Sequence, residues 1–136
     1  MISVCIATYN GAQFVRQQLE SILPQLAPSD EVIVSDDGST DDTLRIIRSL
    51  ADPRIKVVHH QSTGHSATNF EHALQHAKGD YIFLSDQDDC WCPNKVEVMM
   101  RSLRSHACVV SDCYIADKDL HITHESFYAT SGTHFT

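Results

Sequence analysis

A doubly wound α/β fold, with a mainly parallel sheet and helices on both faces, is what this sequence predicts. Short apolar runs alternate with stretches of helical periodicity in the order βαβαβαβαβ, the pattern that βαβ crossovers produce. Turn and cap residues fall at nearly every junction between them. The length of 136 residues gives room for one such domain and hardly for two, and no internal repeat or linker interrupts it.

The elements follow in chain order. Ile2 to Ala7 reads as a buried strand, closed by Asn10-Gly11. Phe14, Val15, Leu19, Ile22 and Leu23 recur at helical spacing, and Pro24 and Pro28 stop that helix. Glu31 to Ser35 is the second strand, followed by Asp36-Asp37-Gly38-Ser39-Thr40. Asp41 and Asp42 suit the first turn of the next helix, where carboxylates meet the positive end of the dipole, and Leu44, Ile46, Ile47 and Leu50 supply its apolar side. Asp52-Pro53 breaks it before a third strand at Ile55 to Val58. Asn69 to Lys78 is expected to be helical, with Phe70, Ala73, Leu74 and Ala77 on one face and Gly79 as C-cap. Tyr81 to Leu84 is the fourth strand, Pro93 opens the next helix, and Ala107 to Val110 is the expected fifth strand. Beyond Ser111 the pattern weakens. Cys113 to Ala116 and Leu120 to Thr123 can form two short strands about Asp117-Lys118-Asp119, and Glu125 to Thr136 shows no periodicity, as if the fold were truncated there.

Composition narrows the function. Eighteen acidic against ten basic residues give a net charge of −8, the wrong sign for a nucleic-acid backbone binder or a polybasic membrane face. The apolar runs are too short to span a bilayer, and Met1 leads into an apolar run without the layout of a signal peptide. Five cysteines with no framework spacing suggest a reducing, cytoplasmic setting.

In a doubly wound sheet ligands bind beyond the carboxyl ends of the strands, and the unusual residues fall there. Thr8-Tyr9-Asn10 follows the first strand, Asp36-Asp37 the second, and Asp86-Gln87-Asp88-Asp89 the fourth. Eight of the thirteen aspartates lie in windows 36–42 and 80–89. Turn and cap chemistry accounts for Asp41 and Asp42. Three carboxylates within four residues repel one another, so Asp86, Asp88 and Asp89 point to a cation, and an all-oxygen set suits Mg²⁺ or Mn²⁺. There is neither a G-x-x-x-x-G-K-[ST] nor a G-x-G-x-x-G cradle, so a diphosphate would be held through the ion.

Together Val4 to Gly11, Val32 to Asp41 and Gly79 to Asp89 resemble the motifs of glycosyltransferase family 2, in order and spacing, over residues 2 to about 112. The Asp-Gln-Asp-Asp-x-Trp version with Asn69-Phe70 upstream is similar to bacterial rhamnosyl- and glucosyltransferase-like members that build surface polysaccharide. The resemblance implies a Rossmann-like GT-A fold, with residues 1–112 forming the nucleotide-sugar part and 113–136 the start of an acceptor-side part. It implies a UDP- or dTDP-sugar as donor, a saccharide or lipid-linked acceptor, and work at the inner face of a bacterial membrane, with any membrane contact made through parts outside this chain. Thr8, Tyr9 and Asn10 match the segment along base and ribose, Asp37 or Asp36 the aspartate that bonds the base, and Asn69 a polar residue near the diphosphate. Asp88 matches the direct metal ligand, and Asp86 a ligand or ribose contact. Transfer would be inverting, through an oxocarbenium-like state with the ion on the departing diphosphate. The family's catalytic base lies past the fifth strand, and none of Asp112, Asp117, Asp119 or Glu125 matches it.

Two other classes compete: a non-catalytic nucleotide-binding module, and a phosphoryl-acceptor signalling domain, which would need an isolated acceptor Asp and a late-strand Lys. Trp91 and Lys95 fit the family pattern, and Trp91 reads equally as an aromatic packed on the sheet. His72 and His76 read as solvated helix residues, and Cys90 and Cys92, spaced too tightly for the usual zinc knuckle, as a partly buried loop pair. His59, His60 and His65 sit at the ligand edge of the sheet, and Cys5 and Cys108 read as small core residues.

Overall fold

The computed structural model describes residues 1–59 and 64–132. They form two compact units, Met1–Val96 and Glu97–Thr136. In the first, β1 (Ile2–Thr8), β2 (Glu31–Asp36), β3 (Ile55–His59) and β4 (Tyr81–Asp86) make one all-parallel sheet in the order β3-β2-β1-β4. The connections are α1 (Val15–Ile22) with a short 3-10 turn at Leu23–Gln25, α2 (Thr43–Ser49), and α3 (Ser66–His76). The helix α4 (Lys95–Ser102) follows β4.

The core follows from strand alternation. Val4, Ile6, Val32 and Val34 are fully buried on one face, and Cys5 and Ile33 on the other. Ala73 of α3 packs on Cys5 and Ile33, with Val58 and Ala77 beside them. Gln18 of α1 reaches Ser85, which is in register with Ile6, so α1 lies on the opposite face. Helices therefore cover both faces, as expected. Topology reverses between β1 and β4: β2 and β3 are added on one side of β1, and β4 on the other. Such a reversal opens a crevice at the carboxyl ends of the strands.

At the opposite end of the sheet Glu31 is buried. Its carboxylate accepts from Ser3 Oγ at 2.6 Å, Lys56 Nζ at 2.5 Å and the Lys78 amide at 2.8 Å. Burial alone would raise its pKa, but these donors outweigh it and bring the group down to about 2. Burial, with Glu31 nearby, pushes the Cys5 thiol up to about 11, so it behaves as a small core residue, as expected.

Several boundaries differ from the sequence reading. The expected fifth strand at Ala107 to Val110 is irregular backbone. Ala107, Cys108 and Val110 are exposed, and the run enters no ladder; four apolar residues do not make a strand without a partner for their amides. Cys108 is thus not a core residue. Gly79 caps no helix. A Cβ there would lie 2.5 Å from the Ser3 amide nitrogen, so the residue is small because the chain entering β4 presses on β1. Leu74 stays exposed, and α3 buries Asn69 and Ala73 instead. Pro93 lies in the turn preceding α4.

In the second unit β5 (Ile115–Ala116) and β6 (Ile122–His124) pair antiparallel about the expected turn. Within the unperiodic stretch a short helix, α5 (Phe127–Ser131), is capped by Ser126 Oγ, which accepts from the Ala129 amide at 3.0 Å, and ends at Gly132 with φ of 69°.

Candidate functional site

Three loops leave the carboxyl ends of β1, β2 and β4, and the site is made of their first residues. Register sets Thr8 opposite Asp36 and Ala7 opposite Asp86. Strand spacing then puts the β2 and β4 ends about 10 Å apart across β1.

Asp36 is 1% exposed and its carboxylate is fully engaged. Thr8 Oγ1 (3.0 Å) and Ser39 Oγ (2.6 Å) donate to one oxygen, and the amides of Gly38 (3.1 Å) and Ser39 (2.9 Å) to the other. The residue organises the loop that Gly38 turns at φ 85°. Thr8 is equally buried, and its carbonyl accepts from the Asp37 amide at 3.0 Å and from Asn69 Nδ2 at 3.1 Å. Asn69 is thereby a brace from α3 to the end of β1. Asp37 accepts from the Gly64 amide at 2.9 Å, drawing the chain ahead of α3 to the β2 end.

Asn10 adopts φ 50°, a conformation asparagine tolerates. Its amide donates to Ser39 Oγ at 2.9 Å and its side-chain oxygen accepts from the Thr40 amide at 2.8 Å, which binds the first loop to the second. Asp41 accepts from the amides of Ala12 and Thr43 just ahead of α2, whose N-cap residue is Asp42; that carboxylate makes no cap bond and pairs with Arg45 instead, and neither aspartate lies in the helix's first turn. Tyr9, in contrast, is 54% exposed, and its ring is open to a ligand.

The acidic loop after β4 holds Asp86, Asp88 and Asp89, all exposed. Desolvation in the loop wall, then the charge of Asp88, raises the pKa of Asp86. Asp89 is raised by desolvation and by both neighbours, with Lys95 opposing. Beneath the loop, Gln18 Nε2 donates to Ser85 Oγ at 3.0 Å and to the Asp86 carbonyl, and Trp91 Nε1 donates to the same Ser85 Oγ at 3.0 Å. Trp91 is buried with its ring 5.6 Å from Phe83, the sheet-packing arrangement, and Lys95 Nζ lies 5.1 Å above it.

The loop offers the donor type a hard divalent ion takes, exposed carboxylate oxygens that repel one another with Lys95 near Asp89, although among the described residues Asp86, Asp88 and Asp89 do not converge as a triad. Mg²⁺ or Mn²⁺ needs only one or two of them, with water and substrate phosphate completing the shell. A tighter triad, Asp117, Asp119 and His121, lies in the β5–β6 turn, where Asp117 accepts from the amides of Asp119 and His121 as a turn aspartate does.

The profile of Glycosyl transferase family 2 matches residues 3–130. The chain belongs to that family. It is 34% identical over 124 residues to the UDP-Glc:alpha-D-GlcNAc-diphosphoundecaprenol beta-1,3-glucosyltransferase WfaP of Escherichia coli, covering 90% of this chain and 49% of that protein. Among crystal structures it resembles S. aureus TarS 1-349 in complex with UDP-GlcNAc, with TM-score 0.71 and 26% identity over 78% of this chain and 32% of that one. It also resembles glucosyl-3-phosphoglycerate synthase from Mycobacterium tuberculosis in complex with Mn²⁺, UDP and glucosyl-3-phosphoglycerate. There the TM-score is 0.59 and identity 27%, over 77% of this chain and 40% of the other. The fold is of the GT-A type, and this family 2 chain spans a third to a half of the relatives' length.

Other expected residues stand apart from these loops or have different neighbours. His72 is half-buried, its Nδ1 2.9 Å from Ser35 Oγ, while His76 is exposed as expected and bonds the His72 carbonyl. Cys90 and Cys92 are both exposed free thiols. His60 and residues 61–63 lie outside the described residues. Sequence reasoning assigned no role to Gln18, Ser39, Ser85 or Gln87, although Gln87 stands inside the acidic motif itself.

Proposed function

We propose that this chain binds a nucleoside-diphosphate sugar, UDP- or dTDP-linked, as the donor part of a metal-dependent, inverting glycosyltransferase. The observation that carries this reading is that exposed Tyr9, buried Asp37 and the exposed Asp86–Asp88 pair stand at the carboxyl ends of three strands in a family 2 fold, across a width of about 10 Å between the β2 and β4 ends. That width suits a nucleotide with its base at the β2 end and its diphosphate at the β4 end.

In this reading Asp37 accepts the imide N–H of uracil or thymine, Tyr9 lies along base and ribose, and Asn10, Asp36, Thr8 and Asn69 hold the loops in place. Asp88 and Asp86 would hold Mg²⁺ or Mn²⁺, which supplies Lewis-acid stabilisation of the departing diphosphate. Residues 1–112 form the donor part, and 113–136 begin the part facing the acceptor. WfaP, whose name gives a GlcNAc-diphosphoundecaprenol acceptor, supports a saccharide on a lipid carrier as acceptor; with that acceptor we propose a role in cell-surface polysaccharide synthesis at the cytoplasmic face of the membrane. No described helix of this chain is long and apolar enough to cross a membrane.

Calorimetric titration of UDP and dTDP, with and without Mn²⁺, tests the reading. Mn²⁺-dependent binding of either is expected. Equal binding of all nucleoside diphosphates, or none, overturns it. Release of UDP from a panel of UDP-sugars, with and without lipid-linked acceptor, distinguishes transfer from bare nucleotide binding.

A further inference from the structure

Between the first and the last loop of the crevice lies a contact that the proposed roles do not use. Gln87 Oε1 accepts from the Tyr9 amide at 2.9 Å, and Gln87 Nε2 donates to the Tyr9 carbonyl at 3.0 Å. One side-chain amide thus satisfies both polar groups of one residue's main chain, as a neighbouring strand would. The fit is tight on the far side as well. A Cβ on Gly11 would lie 2.3 Å from Gln87 Oε1 and 2.7 Å from its Cδ, and the three atoms nearest that Cβ all belong to Gln87. The side chain is seated in a slot that the first loop leaves open by carrying glycine.

Gln87 stands between Asp86 and Asp88 in the acidic loop, and Tyr9 is the exposed aromatic of the first loop. We propose that Gln87 is a positioning residue which couples the two halves of the donor site, so that ordering the acidic loop about a cation also orders the segment beneath the nucleoside. This rests on the proposed reading of the crevice. A ligand bridging both loops then meets one preordered surface, and the entropy of fixing the second loop is already spent when the first is fixed. Coupling of this kind shows as a change in how strongly metal and nucleotide assist each other, not merely in how strongly either binds.

The test uses the full 136-residue chain, UDP and Mn²⁺, and three variants: Gln87→Ala, Gly11→Ala, and both together. Gln87→Ala removes the clasp; Gly11→Ala expels the side chain from its slot. Titration calorimetry gives UDP affinity in saturating Mn²⁺ and in EDTA. The factor by which Mn²⁺ strengthens UDP binding is expected to fall about tenfold in each single variant, the effect of losing one or two net hydrogen bonds. Affinity in EDTA should change less than twofold. The double variant should be no worse than Gln87→Ala, since nothing remains for the new methyl to displace.

An unchanged Mn²⁺ factor in Gln87→Ala overturns the coupling, and so does an equal loss in Mn²⁺ and EDTA, which is what simple damage to the first loop produces. Additive losses in the double variant also overturn it. If the parent chain shows no Mn²⁺-assisted binding of UDP, the reading of the crevice has failed, and the coupling falls with it.

Discussion

Asp36 and Asp37 are neighbours in sequence with different surroundings. Replacing Asp36 by Ala leaves two hydroxyls and two amides without this acceptor in a part-buried loop, and should cost about 1–3 kcal/mol in urea unfolding. Asp37→Ala should instead weaken UDP binding by about 1–3 kcal/mol and shrink the preference for UDP over CDP, read by calorimetry across the two nucleotides. Equal losses for both would remove the base-reading role. Asp88→Ala relieves a repelling cluster, so its melting temperature should stay level or rise slightly while Mn²⁺ no longer strengthens UDP binding. Glu31 carries a pH dependence of its own. Its folded pKa of about 2 lies below the ordinary 4.5, so its contribution is complete above the unfolded value and is lost as pH falls from about 4.5 to 2. Glu31→Gln should therefore flatten the urea midpoint over that window, the parent losing on the order of 2 kcal/mol there.

Elements differ in how much of them can be read before folding. The four strands of the parallel sheet are short apolar runs closed by turn residues, and each stands where the sequence puts it. Ala107 to Val110 has the same local signature, but a strand also requires a neighbour, and that neighbour is a property of the tertiary fold. The helix α5 is too short for periodicity to register, yet its caps, Ser126 and Gly132, are plain in the sequence. Of the site, the aspartates are conspicuous because carboxylates crowd there. The Gln87 clasp is silent, since its partner is the main chain of Tyr9, which any residue would supply. Gly79 misleads in the same way: position after a helix suggests a cap, and only the fold reveals β1 behind it. Gly79→Ala should cost about 1–3 kcal/mol in urea unfolding, because two of the three nearest atoms its methyl meets, the Ser3 nitrogen and the Ile2 carbonyl carbon, are backbone and cannot swing aside.

At the scale of the molecule, the four-stranded sheet is organised around its first strand. β1 pairs with β2 on one side and β4 on the other, all seven of its residues are buried, and helices cover both faces. The loops that carry the proposed chemistry hang from its end mostly by side-chain bonds rather than by a ladder. These two kinds of attachment have a consequence for isotope exchange in deuterated water. Amides inside β1 can exchange only when the sheet comes apart, so their protection should equal the free energy of global unfolding and fall in step with it in urea. The Tyr9 amide, held by Gln87, and the Asn10 amide, held by Ser39, open whenever one side chain lets go, and should exchange orders of magnitude sooner and independently of urea. The boundary between the two regimes should fall within two residues, between Ala7 and Tyr9, where a rigid strand becomes a loop that a nucleotide could slow.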